Sequence, residues 1–120
     1  MNISPMDEAR QPAPLGHSGF GIASFILVFV FWAGDLALFV TAGVMDVSSP
    51  DGLDENSPAV CVFGLLFIFS VFGTLIGLGL GIGGLAQKDR LKIFAILGVI
   101  FHALTFLGLV GLIVLGAAVS

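Results

Sequence analysis

Apolar residues run almost unbroken through three stretches of the chain, Gly19–Met45, Ala59–Ala86 and Ile93–Val119. Asp35 is the one ionisable acid or base of the Asp/Glu/Lys/Arg type inside them. The runs show neither strand-like alternation nor a helical polar face, so each reads as a helix surrounded by apolar material. Each exceeds the roughly 20 residues that cross a hydrocarbon core about 30 Å thick. The predicted fold is all-α: an integral membrane protein of three transmembrane helices spanning 19–45, 59–86 and 93–119.

The polar positions divide the chain further. Residues 1–18 hold Pro5, Pro12 and Pro14 and few apolar side chains, and are expected to be a disordered tail preceding a three-helix domain at 19–120. The leader sets Asp7 and Glu8 against Arg10, so it lacks a cationic signal-peptide start. The apolar run that follows is too long for a cleaved signal, and the first span is expected to be retained. Asp46–Pro58 is a turn-rich polar loop, with Ser48, Ser49, Pro50, Asp51 and Gly52, then Asn56, Ser57 and Pro58. The turn Gln87–Lys92 is short and predicts an antiparallel hairpin of spans two and three.

Charge adds a direction. All the basic residues are Arg10 and the cluster Lys88, Arg90 and Lys92. Lys and Arg collect on the cytoplasmic side of short loops. The expected topology therefore places the N-terminus and the basic turn in the cytoplasm, the acidic loop and C-terminus outside, and the protein in the inner membrane as a multi-pass chain. No basic patch suited to nucleic acid exists. The partners expected are the lipid bilayer and, through helix packing, other membrane subunits or further copies of the chain.

Composition changes the picture at a few points. The 58% hydrophobic and 10% charged content leaves no material for a separate soluble domain. The single cysteine, Cys61, rules out an internal disulfide and is expected to serve as a small apolar core residue. Asp46, Asp51, Asp54 and Glu55 lack the alternate spacing of a calcium loop and read as solvated. The sequence shows no Ser–His–Asp or Cys–His arrangement, no zinc spacing and no cofactor motif. The expectation is no enzyme, no catalytic residue, no metal and no cofactor.

Two features within the spans carry candidate chemistry. In span two, Gly73, Gly77, Gly81 and Gly84 share a face with Ser70, while Gly79 and Gly83 occupy another. Small residues let helices approach closely in lipid, so span two is expected to be central, packed on two faces. Plain packing within the chain and an oligomerising or pore-lining glycine zipper are both open readings. Asp35 is costly near the bilayer centre, by about 2.5–3.5 kcal/mol. It shares a stripe with Ser24, Val28 and Ala42. Counting from Asp46 places it about 16 Å below one surface, and counting from Lys92 places His102 about 15 Å from the other. His102 shares its face with Ala95, Gly98 and Thr105. The two titratable groups are therefore expected to meet. They would form a polar clamp that fixes register, or a proton or cation relay to which Ser70, Thr74 and Thr105 add the remaining polar lining.

The sequence resembles a family of uncharacterised small bacterial membrane domains rich in glycine. The likeness rests on Gly81-Ile82-Gly83-Gly84-Leu85-Ala86, the basic turn Gln87–Lys92, Ala95-Ile96-Leu97-Gly98 and the opening Gly21-Ile22-Ala23-Ser24. It covers most of the chain outside the tail and acidic loop, and implies a membrane location and no particular activity. The alternating Gly77, Gly79, Gly81 and Gly83, with His102-Ala103-Leu104-Thr105-Phe106, also resemble the rotor-ring c subunit of ATP synthases. Here His102 stands where that family has its ion-binding carboxylate, and the chain has an extra helix, so this likeness is read as convergence in helix packing. The function expected is a small structural or accessory membrane subunit, with a small proton or cation transporter or channel component using Asp35 and His102 as the alternative.

Overall fold

The computed structural model describes residues 2, 4–10 and 12–120. Among the described residues four helices follow one another: α1 (Pro5–Glu8), a single turn, then α2 (Gly19–Ser48), α3 (Pro58–Ala86) and α4 (Ile93–Val119). The described residues hold one isolated β-bridge and no strand. The three long helices have 30, 29 and 27 residues, and each is long and apolar enough to cross a membrane. This is a multi-pass membrane protein, and each long helix touches the other two.

Local chemistry sets the helix ends. Ser18 caps α2, its hydroxyl accepting from the Gly21 amide at 3.0 Å. Ser57 caps α3 from the Val60 amide at 3.3 Å, with Pro58 in the first turn where its missing N–H costs nothing. In the loop between them the Asp46 carboxylate accepts from the Leu53 amide at 2.9 Å, and Gly52 takes the left-handed conformation at φ 76°. The tight α3–α4 turn passes through Asp89 at φ 54°, a conformation Asp tolerates better than most residues.

The end of the tail is fastened to that turn. The Ser18 amide donates to the Leu91 carbonyl at 3.1 Å and the Leu91 amide to the Gly16 carbonyl at 2.9 Å, which makes the bridge between His17 and Leu91. The Ser18 hydroxyl also donates to Gln87, and the His17 ring meets Phe94 edge-on with centroids 4.9 Å apart. Gly16–Ser18, within the segment expected to be disordered, are held in place by backbone pairing with Leu91. Residues 1, 3 and 11 of that tail lie outside the described residues. The N-terminal segment and the basic turn thus share one end of the bundle, and the acidic loop and Ser120 lie at the other.

Packing is uneven along the bundle. The buried residues are Gly21, Ser24 and Val28 of α2, Ser70 to Gly84 of α3 at helical intervals, and Ala95, Gly98, His102 and Leu109 of α4. Nearly all are small, and they cluster toward the basic end. No residue of α2 after Val28, of α3 before Ser70 or of α4 after Leu109 is buried. Large apolar side chains such as Phe29, Leu65, Ile76 and Leu107 face outward, as a lipid-facing surface requires.

Candidate functional site

The glycines of α3 come first, because they position everything else. A Cβ at Gly84 would lie 2.7 Å from the Gly21 nitrogen and 3.0 Å from the Ala95 Cβ. One at Gly81 would lie 2.7 Å from a Val99 methyl and 3.0 Å from the Ser24 hydroxyl. Gly77 faces the His102 ring and Gly73 the Phe31 ring, so a side chain at either position would have to displace that ring. One stripe of α3, Gly73, Gly77, Gly81 and Gly84, therefore fits the groove between α2 and α4 and touches both. The second packing face expected from Gly79 and Gly83 meets no helix of this chain closely. A Cβ at Gly79 would meet nothing within 4 Å, and one at Gly83 would meet only Phe20, at 3.8 Å. A single narrow stripe suffices because α2 and α4 also touch each other, so both neighbours converge on one side of α3.

His102 sits inside this small-residue core, 1% exposed. Its Nε2 lies 3.0 Å from the Ser24 carbonyl. A carbonyl oxygen only accepts, so Nε2 carries the proton and donates. The Ser24 hydroxyl donates to the Gly77 carbonyl at 2.7 Å. Ser24 thus ties α2 to α4 through its backbone and to α3 through its side chain.

Asp35 is elsewhere. Its Oδ2 accepts from the Ser70 hydroxyl at 2.9 Å, across the α2–α3 seam. The residue is half-buried and lines a cavity of about 320 Å³ with Phe31, Gly34, Leu38, Leu66 and Ser70. Apart from Asp35 and Ser70 the lining is apolar.

The expected meeting of Asp35 and His102 therefore does not occur. Ser18 begins α2 beside the basic turn. Asp35 lies 17 residues along from it, about 25 Å of helix. His102 lies 10 residues from Lys92, about 15 Å. Depths counted from opposite surfaces agree only if the helices are as long as the hydrocarbon core is thick. These helices have 30 and 27 residues, about 40–45 Å, and the surplus separates the two groups by about 10 Å along the axis. The faces differ as well, since Asp35 turns to α3 while His102 fills the three-helix centre.

The remaining polar groups are local. The Trp32 indole donates to the Thr105 hydroxyl at 2.6 Å, and Thr105 donates to the Phe101 carbonyl at 2.8 Å. Thr74 is fully buried, and its hydroxyl finds no partner among the described residues. Cys61, expected in the core, is exposed on the first turn of α3, in the part of that helix that buries no residue. Lys88, Arg90 and Lys92 are exposed at the basic turn, and the Arg90 guanidinium lies over Gly16.

An aromatic seam between α2 and α4 was not anticipated. Phe25 meets Phe94 and Phe101 at centroid distances of 5.3 and 6.4 Å, and Trp32 meets Phe101 at 5.5 Å. The spacing of Phe25, Phe29 and Trp32 at i, i+4 and i+7 was the available signal. Comparison with family models, with curated proteins and with solved structures finds no match to this chain.

Proposed function

We propose that the protein is a small, non-enzymatic accessory subunit of a membrane assembly, docking through its helix faces on itself or on a larger complex. The observation that carries this reading is the uneven packing. The basic half is closed by interlocked small residues, while no residue of α2 after Val28, of α3 before Ser70 or of α4 after Leu109 is buried. Asp35, the most expensive group to bury, lies on that open half beside the Ser70 hydroxyl. A half-buried carboxylate in an apolar groove suits a surface that a further chain completes.

Orientation belongs to the same proposal. The basic turn and the N-terminal segment share one end, which the clustering of Lys and Arg assigns to the cytoplasm of an inner membrane. The acidic loop and the C-terminus then lie outside. A reporter active only in the cytoplasm, fused after Ser120, is expected to be silent, and a strong signal overturns this topology.

The alternative, proton or cation movement through Asp35 and His102, loses its geometric support. The two side chains bond to different partners on different faces.

The subunit reading is tested by extracting the full chain with its native lipids in polymer nanodiscs and measuring particle mass by native mass spectrometry. Particles holding a second protein, or several copies, are expected. Particles holding one copy and lipid alone overturn it.

A further inference from the structure

The seam between α2 and α3 at the acidic end holds two cavities, about 320 Å³ around Asp35 and about 300 Å³ toward Thr41. They share Gly34, Leu38 and Leu66, and so form one groove. On α2 it runs from Val30 to Thr41, about 16 Å of helix. Three properties of the groove define what fills it.

The first is length. A channel of this extent, parallel to a membrane-spanning helix, suits an elongated occupant better than a compact one. The second is the floor. Gly34, Ala37 and Thr41 recur on one stripe of α2, and a Cβ at Gly34 would meet nothing within 4 Å. A stripe of small residues is where a second backbone approaches closely in lipid. The third is charge. Among the described residues Asp35 receives the Ser70 hydroxyl and no cation, and a carboxylate at this depth is favoured by a positive partner.

This chain has no such partner to offer. Its Lys and Arg residues are at 10, 88, 90 and 92, all at the basic end, and the one titratable side chain within its spans besides Asp35 and Cys61 is His102, enclosed in its own bundle. A second copy therefore brings no positive charge to the groove.

We infer that the α2–α3 groove seats a transmembrane helix of a different protein, one that presents a Lys or Arg side chain to Asp35 and Ser70. The inference rests on the accessory-subunit reading and narrows it from self or other to other.

The test uses the full chain in phosphatidylcholine vesicles, with a donor fluorophore on Cys61, which is exposed and the only cysteine. The probes are acceptor-labelled synthetic helices of about 20 apolar residues, one with a central Lys and one with norleucine in its place. The Lys helix is expected to associate about tenfold more tightly, the scale of one interhelical polar contact. Asp35→Asn is expected to abolish that preference. Gly34→Leu, which fills the groove and leaves the carboxylate, is expected to weaken both helices. Helical circular dichroism and Trp32 emission establish that each variant is folded.

Equal binding of the two helices, or a Lys preference that survives Asp35→Asn, overturns the inference. So does Asp35-dependent binding of tetraphenylphosphonium without a Lys-helix preference, which makes the groove a small-cation site. Energy transfer between copies that Gly34→Leu abolishes overturns it in favour of a second copy. A chain found with a second protein in nanodiscs but lacking the Lys preference loses this inference alone. A chain that shows the preference but is solitary in nanodiscs loses the subunit reading alone.

Discussion

The Nε2 of His102 donates to the backbone carbonyl of Ser24 at 3.0 Å, and the Ser24 hydroxyl donates to the Gly77 carbonyl at 2.7 Å. One serine therefore links all three long helices, with the His102 ring forming the tie to α4. Replacing His102 by Ala removes the bond and empties a fully enclosed site. A loss of about 3 kcal/mol is expected, within the range for large-to-small core changes. Reversible unfolding in mixed micelles measures it, and a loss below the scale of one surface substitution contradicts the placement.

The glycines of α3 separate into two classes by position. Gly84→Ala forces the α2 backbone at Gly21 and the Ala95 methyl apart, and is expected to cost about 1–3 kcal/mol, as overpacking does. Gly79→Ala meets open space and gains helix propensity, so it is expected to be neutral or to stabilise by up to about 1 kcal/mol. Equal effects of the two substitutions in the same unfolding assay would show that α3 packs on some other face.

Thr74 is buried with an unpartnered hydroxyl. Valine has nearly the same shape and no group to desolvate. Thr74→Val is expected to stabilise the isolated chain by about 1 kcal/mol, seen as a higher midpoint of thermal unfolding in detergent. A lower midpoint assigns the hydroxyl a bonding role.

Trp32 is the only tryptophan, and its indole N–H is bonded to Thr105 at 2.6 Å. Thr105→Val removes the acceptor while keeping the volume. The intrinsic emission is expected to shift to shorter wavelength with the helical content unchanged. An unchanged spectrum means that the contact does not exist in the membrane.

Asp35 and His102 lie on separate hydrogen-bonded sites, so the protein alone in vesicles holding a pH-sensitive dye is expected to leak protons no faster than empty vesicles. Asp35→Asn is expected to leave that background unchanged. Flux above the background that this substitution abolishes would restore the relay reading.

Helix number and extent were legible because the apolar runs are bounded by Ser18, the Asp46–Pro58 loop and the Gln87–Lys92 turn, each of which breaks or caps a helix. The predicted starts at Gly19 and Ile93 coincide with those of α2 and α4. The stripe from Gly73 to Gly84 was legible too, since four small residues on one face leave little else for it to do. The partner of Asp35 was not. Sequence distance measures position along a helix, but the relative heights of two helices depend on where each meets its neighbours. The contacts of Gly21 with Ala95 and of Ser18 with Leu91 set that height, and nothing in the local sequence of Asp35 encodes them. Cys61 was misjudged for a related reason: small and apolar identifies a core residue only where a core exists.

The pairing of Gly16–Ser18 with Leu91 also has a consequence for the order of assembly. The two segments of this clasp flank α2 and α3 in the chain, so closing it encloses both helices in one long loop. A contact so distant in sequence costs more loop entropy than one between neighbouring helices. The seam of Asp35 and Ser70 joins two helices that follow each other directly, and is the cheaper to form. The clasp then acts as a latch that sets the height of α4 against a pair already joined.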